Sequence, residues 1–259
     1  MTSSCPTDEF GPERQTVLDV AAASGQLSVL LAQEFDHVVI AMDKSERQLA
    51  HAKKNIRYQV GNATQLPNSE QGEFYDAITV AQAYHWFLKD TTDQLFLQEA
   101  RRVLHPSHGI VGIFGYGICA ITNNDALHTV FQHEFYHQRL KSHCAPKDSF
   151  WNVDRRLVDH AFAELPTYNS MEIIVQRHYH KQTESWTRHQ FLDYVRTFSG
   201  LVNLRQHCAQ QQQQDPMEWL HQQFTSDTTE EEEESLLLEV EFPFFLIVLK
   251  PVHKKPETK

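Results

Sequence analysis

Short strand-like segments, most of them apolar, alternate with helical patterns along the first half of the chain, and this alternation limits the possible folds more than any other feature. Each segment is four to eight residues long and is followed by a turn or by helical spacing. In chain order these segments are 15–21, 37–42, 56–60, 75–80 and 109–115. Because strands that alternate with helices form parallel βαβ units, the pattern predicts an α/β protein with a doubly wound, mostly parallel sheet.

The second half is less regular. Helical patterns cover 124–141, 152–162 and 188–197, and strand patterns cover 170–176 and 236–249. Segment 236–249 supplies a final strand or a pair of strands, and Pro243 within it indicates an edge strand or a bulge. We expect one domain over 1–259, made of a ligand-binding half, 1–117, and a half of lid helices and terminal strands, 118–259.

Composition excludes several classes of function. The net charge of −11 gives no electrostatic attraction to nucleic acid or to anionic lipid. The longest apolar run, 242–249, is too short to span a bilayer, and the first fourteen residues lack the apolar run of a signal peptide. The four cysteines form no CxxC pair, which is typical of a reduced, cytoplasmic protein.

Three turns that follow predicted strands are candidate ligand sites. Asp19 ends the first strand and precedes small residues that open a helix; it either holds a cationic group or orders the loop. Asp43 ends the second strand 24 residues later, where a carboxylate can accept both ribose hydroxyls or cap a helix. Asn62 and Ala63 follow the third strand, where they either bind an adenine edge or form a polar turn.

Taken in series, these turns resemble those of a known family. The stretches that carry the resemblance are LDVAAASGQ, VVIAMDKSERQLAHA, YQVGNATQLP, YDAITVAQAYHWF and EARRVLHPSHGIVGIFGY, with FWNVDRRLVDHAFAELP, FLDYVRTFSG and FPFFLIVLK further on. The chain resembles the class I S-adenosylmethionine-dependent methyltransferases and looks most similar to the trans-aconitate methyltransferase-like subgroup, whose members act on small molecules. The resemblance implies the Rossmann-like methyltransferase fold, which has a seven-stranded sheet and a helical lid insertion.

The resemblance also implies S-adenosylmethionine as cofactor and assigns roles to residues of the first half. The implied cofactor-binding residues are Asp19, Ala21, Gly25, Asp43, Lys44, Asn62, Ala63 and Ala81. Asp43 would bind ribose, Asn62 and Ala63 would flank adenine, and Ala81 would lie close to the methionine moiety.

At the transfer site the resemblance places Gln82, His85 and Trp86, and it implies a small carboxylic acid as methyl acceptor. These side chains can orient a carboxylate oxygen by hydrogen bonds, and His85 can act as a base for a hydroxyl or amine acceptor. The alternative is that Trp86 and Phe87 only pack in the core. Segments 122–148 and 188–206 would cover the acceptor, with Tyr116, Trp151, Tyr194 and Ser199 around it.

The chain departs from the family in its glycine motif. Family members usually have Gly-x-Gly-x-Gly after the motif acid, and the corresponding residues here are Ala21, Ala23 and Gly25. A methyl group at either alanine can meet the ligand or strain a backbone that needs positive φ. The alternative function is therefore a methyltransferase-fold protein that binds the cofactor weakly and acts through partners.

One pattern points to different chemistry. His133, Glu134 and His137 read H-E-x-x-H, with His143 six residues further on, which is similar to zinc proteases. The glycine that such proteases need three residues after the second histidine is Leu140 here. With sixteen histidines in the chain, chance pairs are expected. A zinc metalloprotease is thus only a remote alternative, and no metal site is predicted.

Overall fold

The structure, a computed structural model, describes residues 16–34, 38–49, 56–68, 74–88, 92–163, 171–225 and 237–251. The chain divides into two compact units. The first unit comprises 1–113, 167–176 and 247–259, and the second comprises 114–166 and 177–246. The sequence-based halves, 1–117 and 118–259, stay a prediction.

The strands and helices follow in a regular order at first. Through the first five strands the elements are β1 (Thr16–Val20), α1 (Gln26–Glu34), β2 (Val38–Asp43), α2 (Glu46–Leu49), β3 (Arg57–Val60), β4 (Ala77–Ala81), a 3-10 turn (Tyr84–Trp86), α3 (Thr92–Val103) and β5 (Ile110–Tyr116). The later elements are β6 (Ala120–Ile121), α4 (Asp125–Thr129), a π-helix (Val130–Arg139), a 3-10 turn (Pro146–Asp148), α5 (Arg155–Asp159), β7 (Met171–Trp186), α6 (Arg188–Arg196), α7 (Ser199–Gln210), α8 (Pro216–Thr225) and β8 (Leu238–Pro251).

The strands are hydrogen-bonded in the order β3-β2-β1-β4-β5-β8-β6, and β7 also pairs with β8. Pairs β1–β2, β1–β4 and β2–β3 are parallel, whereas β6 and β8 are antiparallel. The doubly wound, mostly parallel sheet is confirmed. All seven predicted strands are present, and the two-residue β6 is an addition that no sequence pattern indicated.

Each unit has an apolar core of its own. In the first unit every residue of β1 is buried, and α3 turns Phe96, Leu97 and Ala100 inward at helical spacing. The second unit is centred on aromatic rings. Phe131 of the π-helix lies edge-on to Phe191 of α6, which stacks on Phe224 of α8 with 5.4 Å between ring centroids. Such buried rings each contribute about 1.5–3 kcal/mol to stability.

Two helices of the second half differ in the structure from what the sequence pattern predicts. The helix over 124–141 is present but changes after α4 into a π-helix, which ends with Leu140 N–H donating to the carbonyl of Phe135. The helix predicted over 152–162 is shorter. It begins after Asp154, whose side chain caps α5, and it ends before Ala161 and Phe162, which have positive φ. Most of the charged segment 225–235 lies outside the described residues. Within the described part of the chain, no helix is long and apolar enough to cross a membrane.

Candidate functional site

The predicted ligand residues of the first unit follow the carboxyl ends of neighbouring parallel strands. In the register of the sheet, Val20 lies beside Met42, and Asp43 lies beside Val60. The chain runs outward from β1 to β3 and then returns to β4 on the other side of β1. Ligands of doubly wound proteins bind at such a switch point, outside the carboxyl ends of the strands.

The loop after β1 has the backbone conformation that a glycine motif serves. Ala21, Ala23 and Gly25, the three positions where the family usually has glycine, have φ values of 57°, 50° and 79°. A left-handed conformation costs an L-residue roughly 1–2 kcal/mol, so both alanines are held against their own preference. Ala23 is exposed and Ala21 is half-buried, so neither methyl group is enclosed in the core.

Asp43 holds this loop in place. Its Oδ2 accepts a hydrogen bond from the backbone N–H of Ala23 at 3.0 Å, and its Oδ1 accepts one from Ser45 N–H at 2.8 Å. The N–H of Ala22 donates to the carbonyl of Met42 at 3.0 Å. These bonds offset the strain in the loop. Each carboxylate oxygen has a second lone pair, so the Asp43 side chain can also accept a hydroxyl of a ligand. Lys44, beside it, is exposed.

Gly25 is the one position of the motif that keeps glycine. A Cβ at this position would clash with the hydroxyl oxygen of Tyr58, a residue of β3. The positive φ and the tyrosine side chain therefore both favour glycine. Tyr58 was not predicted from the sequence, because nothing in the pattern of β3 shows that its ring reaches the loop after β1.

Asp19 is buried, with 1% of its surface exposed. Its Oδ2 accepts a hydrogen bond from the Ser28 hydroxyl at 2.6 Å and its Oδ1 accepts one from the Thr79 hydroxyl at 2.8 Å. Burial raises the pKa of the Asp19 carboxyl to about 6, although both hydroxyl groups act to lower it. Both bonds are to side chains of α1 and β4, so Asp19 joins these two elements to β1. Its role in cofactor binding stays a prediction.

The loop after β3 is shaped by its own turn and by α3. Asn62 Oδ1 accepts a hydrogen bond from Thr64 N–H at 3.1 Å, and Ala63 beside it is half-buried. Glu99 accepts a hydrogen bond from Leu66 N–H at 3.0 Å, and Arg102 donates to the carbonyl of Leu66 at 2.6 Å. Hydrogen bonding to Arg102 lowers the pKa of Glu99. This contribution of Glu99 and Arg102 was not predicted, since the two residues read as an ordinary exposed helix face.

The segment after β4 contains both an exposed and a buried aromatic ring. Ala81 and Gln82 are half-buried, and Gln82 has a φ of 48°. Trp86 is 45% exposed, and its ring centroid lies 5.2 Å from that of the half-buried His85. Phe87 is 7% exposed. Core packing therefore describes Phe87 but not Trp86, whose indole has surface that the protein leaves exposed.

The H-E-x-x-H pattern lies in the π-helix of the second unit. The ring centroids of His133 and His137 are 6.1 Å apart, and His137 Nδ1 shares a hydrogen bond with the Ser142 hydroxyl at 2.8 Å. Burial, together with the neighbouring His143 and His133, lowers the pKa of His137, while Asp159 raises it. Across the described residues, no three histidine, cysteine or acidic side chains are placed to hold a metal ion.

Comparison with known proteins gives consistent results. Residues 17–107 match the family model described as a methyltransferase domain. A candidate methyltransferase of Dictyostelium discoideum is 26% identical over 243 residues, which are 92% of this chain and 83% of that protein. An uncharacterized methyltransferase of Schizosaccharomyces pombe is 32% identical over 104 residues, 39% of each chain. The structure of a candidate type II methyltransferase from Anaeromyxobacter dehalogenans matches with a TM-score of 0.68 at 24% identity, over 92% of this chain and 90% of that one. The segment 17–107 includes every residue described above at the edge of the sheet.

Proposed function

We propose that this chain is a class I S-adenosylmethionine-dependent methyltransferase and that it methylates the carboxylate of a small organic acid. S-adenosylmethionine is the methyl donor of the family. The proposal also places the chain near the trans-aconitate methyltransferase-like subgroup. Its support comes from the subgroup motifs in the sequence and from the side chains that follow β4.

The residues at the sheet edge fit the cofactor. The observation that carries the proposal is the Asp43 carboxylate at the end of β2, bonded to a loop whose backbone has positive φ at Ala21, Ala23 and Gly25. That loop brings backbone rather than bulky side chains to the ligand. In our assignment Asp43 binds the ribose hydroxyls with Lys44 beside it, Asn62 and Ala63 flank adenine, and Ala81 lies by the methionine moiety.

The bound cofactor supplies a methyl group on a positively charged sulfur, and the chain has to orient the acceptor and exclude water. A carboxylate acceptor is already ionised near neutral pH and needs no base. We assign Gln82, His85 and Trp86 to hydrogen-bond and orient the acceptor oxygen. The exposed indole of Trp86 supports this assignment, since 45% of its surface is open to solvent.

The first test is calorimetric titration of the purified chain with S-adenosylhomocysteine, which cannot donate a methyl group. We expect micromolar binding that Asp43→Ala abolishes, because the substitution removes both the ribose acceptor and the bond to Ala23. Glu46→Ala, an exposed carboxyl three residues further on, is the matched control and should bind normally. An absence of binding by the unaltered chain would contradict the assignment and favour the weakened-cofactor alternative that Ala21 and Ala23 suggest.

The second test addresses the acceptor. The chain is incubated with S-adenosylmethionine carrying a labelled methyl group and with a panel of small carboxylic acids, amines and alcohols. A methyl ester releases labelled methanol in mild base, whereas methylated amines and ethers do not. Base-labile label that requires an acid in the mixture supports the proposal. Label that appears only as base-stable product would overturn the carboxylate assignment while leaving methyl transfer intact.

A further inference from the structure

Three histidines of the second unit lie side by side, and we call them the histidine row, defined as His133, His137 and His143. The ring centroids of His133 and His137 are 6.1 Å apart, and those of His137 and His143 are 6.0 Å apart. His133 and His143 are exposed, whereas His137 is half-buried. The chain therefore turns back after the π-helix in such a way that the central imidazole has another imidazole on each side.

The turn 141–144, which brings His143 back to the π-helix, is strained. Lys141 has a φ of 52°, a left-handed conformation that is unfavourable for any residue with a Cβ. Ser142 N–H donates to the carbonyl of Tyr136 at 3.3 Å. The Ser142 side chain is buried, and its hydroxyl shares a hydrogen bond of 2.8 Å with His137 Nδ1. His137 is thus a contact through which the π-helix holds this turn.

A proton on His137 meets more positive than negative charge. Burial lowers the pKa of His137, and so do His143 of the turn and His133 of the π-helix, whereas Asp159 of α5 raises it. Asp159 is itself paired with Arg155, whose Nη2 lies 3.2 Å from Asp159 Oδ1. Because the causes that lower the pKa prevail, the folded chain binds this proton more weakly than the unfolded chain does.

The hydrogen bond between His137 and Ser142 does not by itself respond to the proton. A hydroxyl group both donates and accepts, so Ser142 can bond to Nδ1 of a neutral or of a charged imidazole. Protonation instead adds repulsion between the rings of the histidine row and places a charge on a half-buried group. Separation of the rings relieves both effects, and the turn has to open for the rings to separate.

We propose that the histidine row is a pH-sensitive contact, which holds the turn 141–144 against the π-helix at neutral pH and releases it in mild acid. The open turn takes up protons more readily than the closed one, so opening becomes easier as pH falls. The stability that His137 contributes is fully present above the ordinary histidine pKa of 6.5 and is lost as pH falls below that value. The contact lies within the second unit and does not depend on methyl transfer.

A row of histidines that only packs makes a different prediction. In that case mild acid affects the turn no more than the rest of the second unit, and the backbone amides of the turn and of α7 lose protection in parallel. If repulsion within the histidine row opens the turn, the turn loses protection while α7 keeps it. The ratio of the two therefore separates local opening from a general loss of stability.

The test is native-state hydrogen exchange of the full chain, followed by NMR at about pH 7.5 and about pH 5.5 with a metal chelator present. We expect the protection of the Leu140 and Ser142 amides to fall by at least about threefold relative to amides within α7. His137→Gln should remove this fall, and His143→Gln, at an exposed position, should remove part of it. His221→Gln, at an exposed position of α8, is the matched control and should keep the fall in full.

Titration of the imidazoles by NMR gives a second measurement. The pKa of His137 should lie below the ordinary value of 6.5, and His143→Gln should raise it, because one repelling ring is removed. A His137 that titrates at or above 6.5 would overturn the proposal.

Protection of the turn that changes in parallel with α7, or a fall that persists unchanged in both variants of the histidine row, would overturn it as well. If circular dichroism shows that His137→Gln does not fold, His143→Gln decides the question, since an exposed imidazole can be replaced without loss of the core.

Discussion

The hydroxyl of Thr79 donates to the carboxylate of Asp19 across 2.8 Å, and this bond lies between two neighbouring parallel strands, β1 and β4. Ser28 of α1 donates to the other oxygen of the same carboxylate. A single buried acid thus joins three elements beneath the loop that carries Ala21, Ala23 and Gly25. The protonation state of Asp19 therefore affects the free energy of unfolding.

Asp19→Asn should change how stability depends on pH. Burial raises the folded-state pKa of Asp19 to about 6 from an ordinary value of 3.8, so the folded chain holds this proton more tightly than the unfolded one. The free energy of unfolding therefore falls as pH rises from about 4 to about 6, by as much as about 3 kcal/mol from this group. Asp19→Asn should remove that fall. Urea unfolding at pH 4, 5, 6 and 8 measures it, with Glu46→Gln as a control for an exposed carboxyl. A pH profile of Asp19→Asn parallel to that of the unaltered chain would contradict the assignment.

Ala23→Gly should stabilise the protein. Relief of the left-handed alanine gains about 1–2 kcal/mol, while the added freedom of the unfolded chain costs about 0.4–1 kcal/mol. We therefore expect a net gain of up to about 1.6 kcal/mol in urea unfolding, together with tighter binding of S-adenosylhomocysteine. The matched control is Ala22→Gly, one residue earlier. The φ of Ala22 is not positive. Its replacement by glycine relieves no strain and only adds freedom to the unfolded chain, so it should lower the free energy of unfolding. Equal effects of the two changes would argue against strain at Ala23.

Gly25→Ala should be strongly destabilising, because the new methyl meets both an unfavourable φ and the Tyr58 hydroxyl. We expect a loss of at least about 2 kcal/mol, with loss of S-adenosylhomocysteine binding. Tyr58→Phe removes the nearest atom and should restore part of that stability but not the cost of the positive φ. A double-mutant cycle in urea measures the coupling between the two sites. A coupling of zero would show that the tyrosine ring moves away from the added methyl group freely.

Trp86→Ala and Phe87→Ala should separate function from stability at adjacent positions. Trp86 is 45% exposed and Phe87 is 7% exposed. Removal of the buried ring should cost about 3–5 kcal/mol, whereas removal of the exposed indole should leave the free energy of unfolding nearly unchanged. We expect Trp86→Ala to lower the rate of methyl transfer while S-adenosylhomocysteine binds normally. Unaltered transfer by the Trp86 variant would remove it from the acceptor site.

The sequence predicts the elements of the first half well, because β1, β2, β4 and β5 are largely apolar runs bounded by acids, glycines or small residues, whereas β3 contains Arg57 and Gln59. It also places Asp19 and Asp43 at strand ends, since each acid directly follows an apolar run. The sequence does not show which side chains contact each other when they are far apart along the chain. The bond of Asp43 to Ala23 N–H, the Thr79 hydroxyl on Asp19 and the Tyr58 ring against Gly25 join residues 20 or more positions apart.

The second half was harder to predict for a local reason. Nothing in the spacing of apolar residues over 124–141 distinguishes a π-helix from an α-helix, because both bury Phe131 and Phe135 on one face. The early end of α5 at Asp159 depends on the positive φ of Ala161 and Phe162, residues that do not usually adopt it. Trp151 was expected near an acceptor from the resemblance, but the partnerless indole N–H is visible only in three dimensions.

The two hydrogen bonds that Asp43 accepts make its carboxylate a reporter as well as a ligand-binding group. The backbone amides of Ala23 and Ser45 belong to two different loops, yet both end on this one side chain. Any ligand hydroxyl that binds the carboxylate stabilises the geometry in which both amides are bonded, so their exchange with deuterated water should slow together. Occupancy of the site can therefore be followed at two backbone positions without a label on the ligand, even for a cofactor analogue that undergoes no reaction.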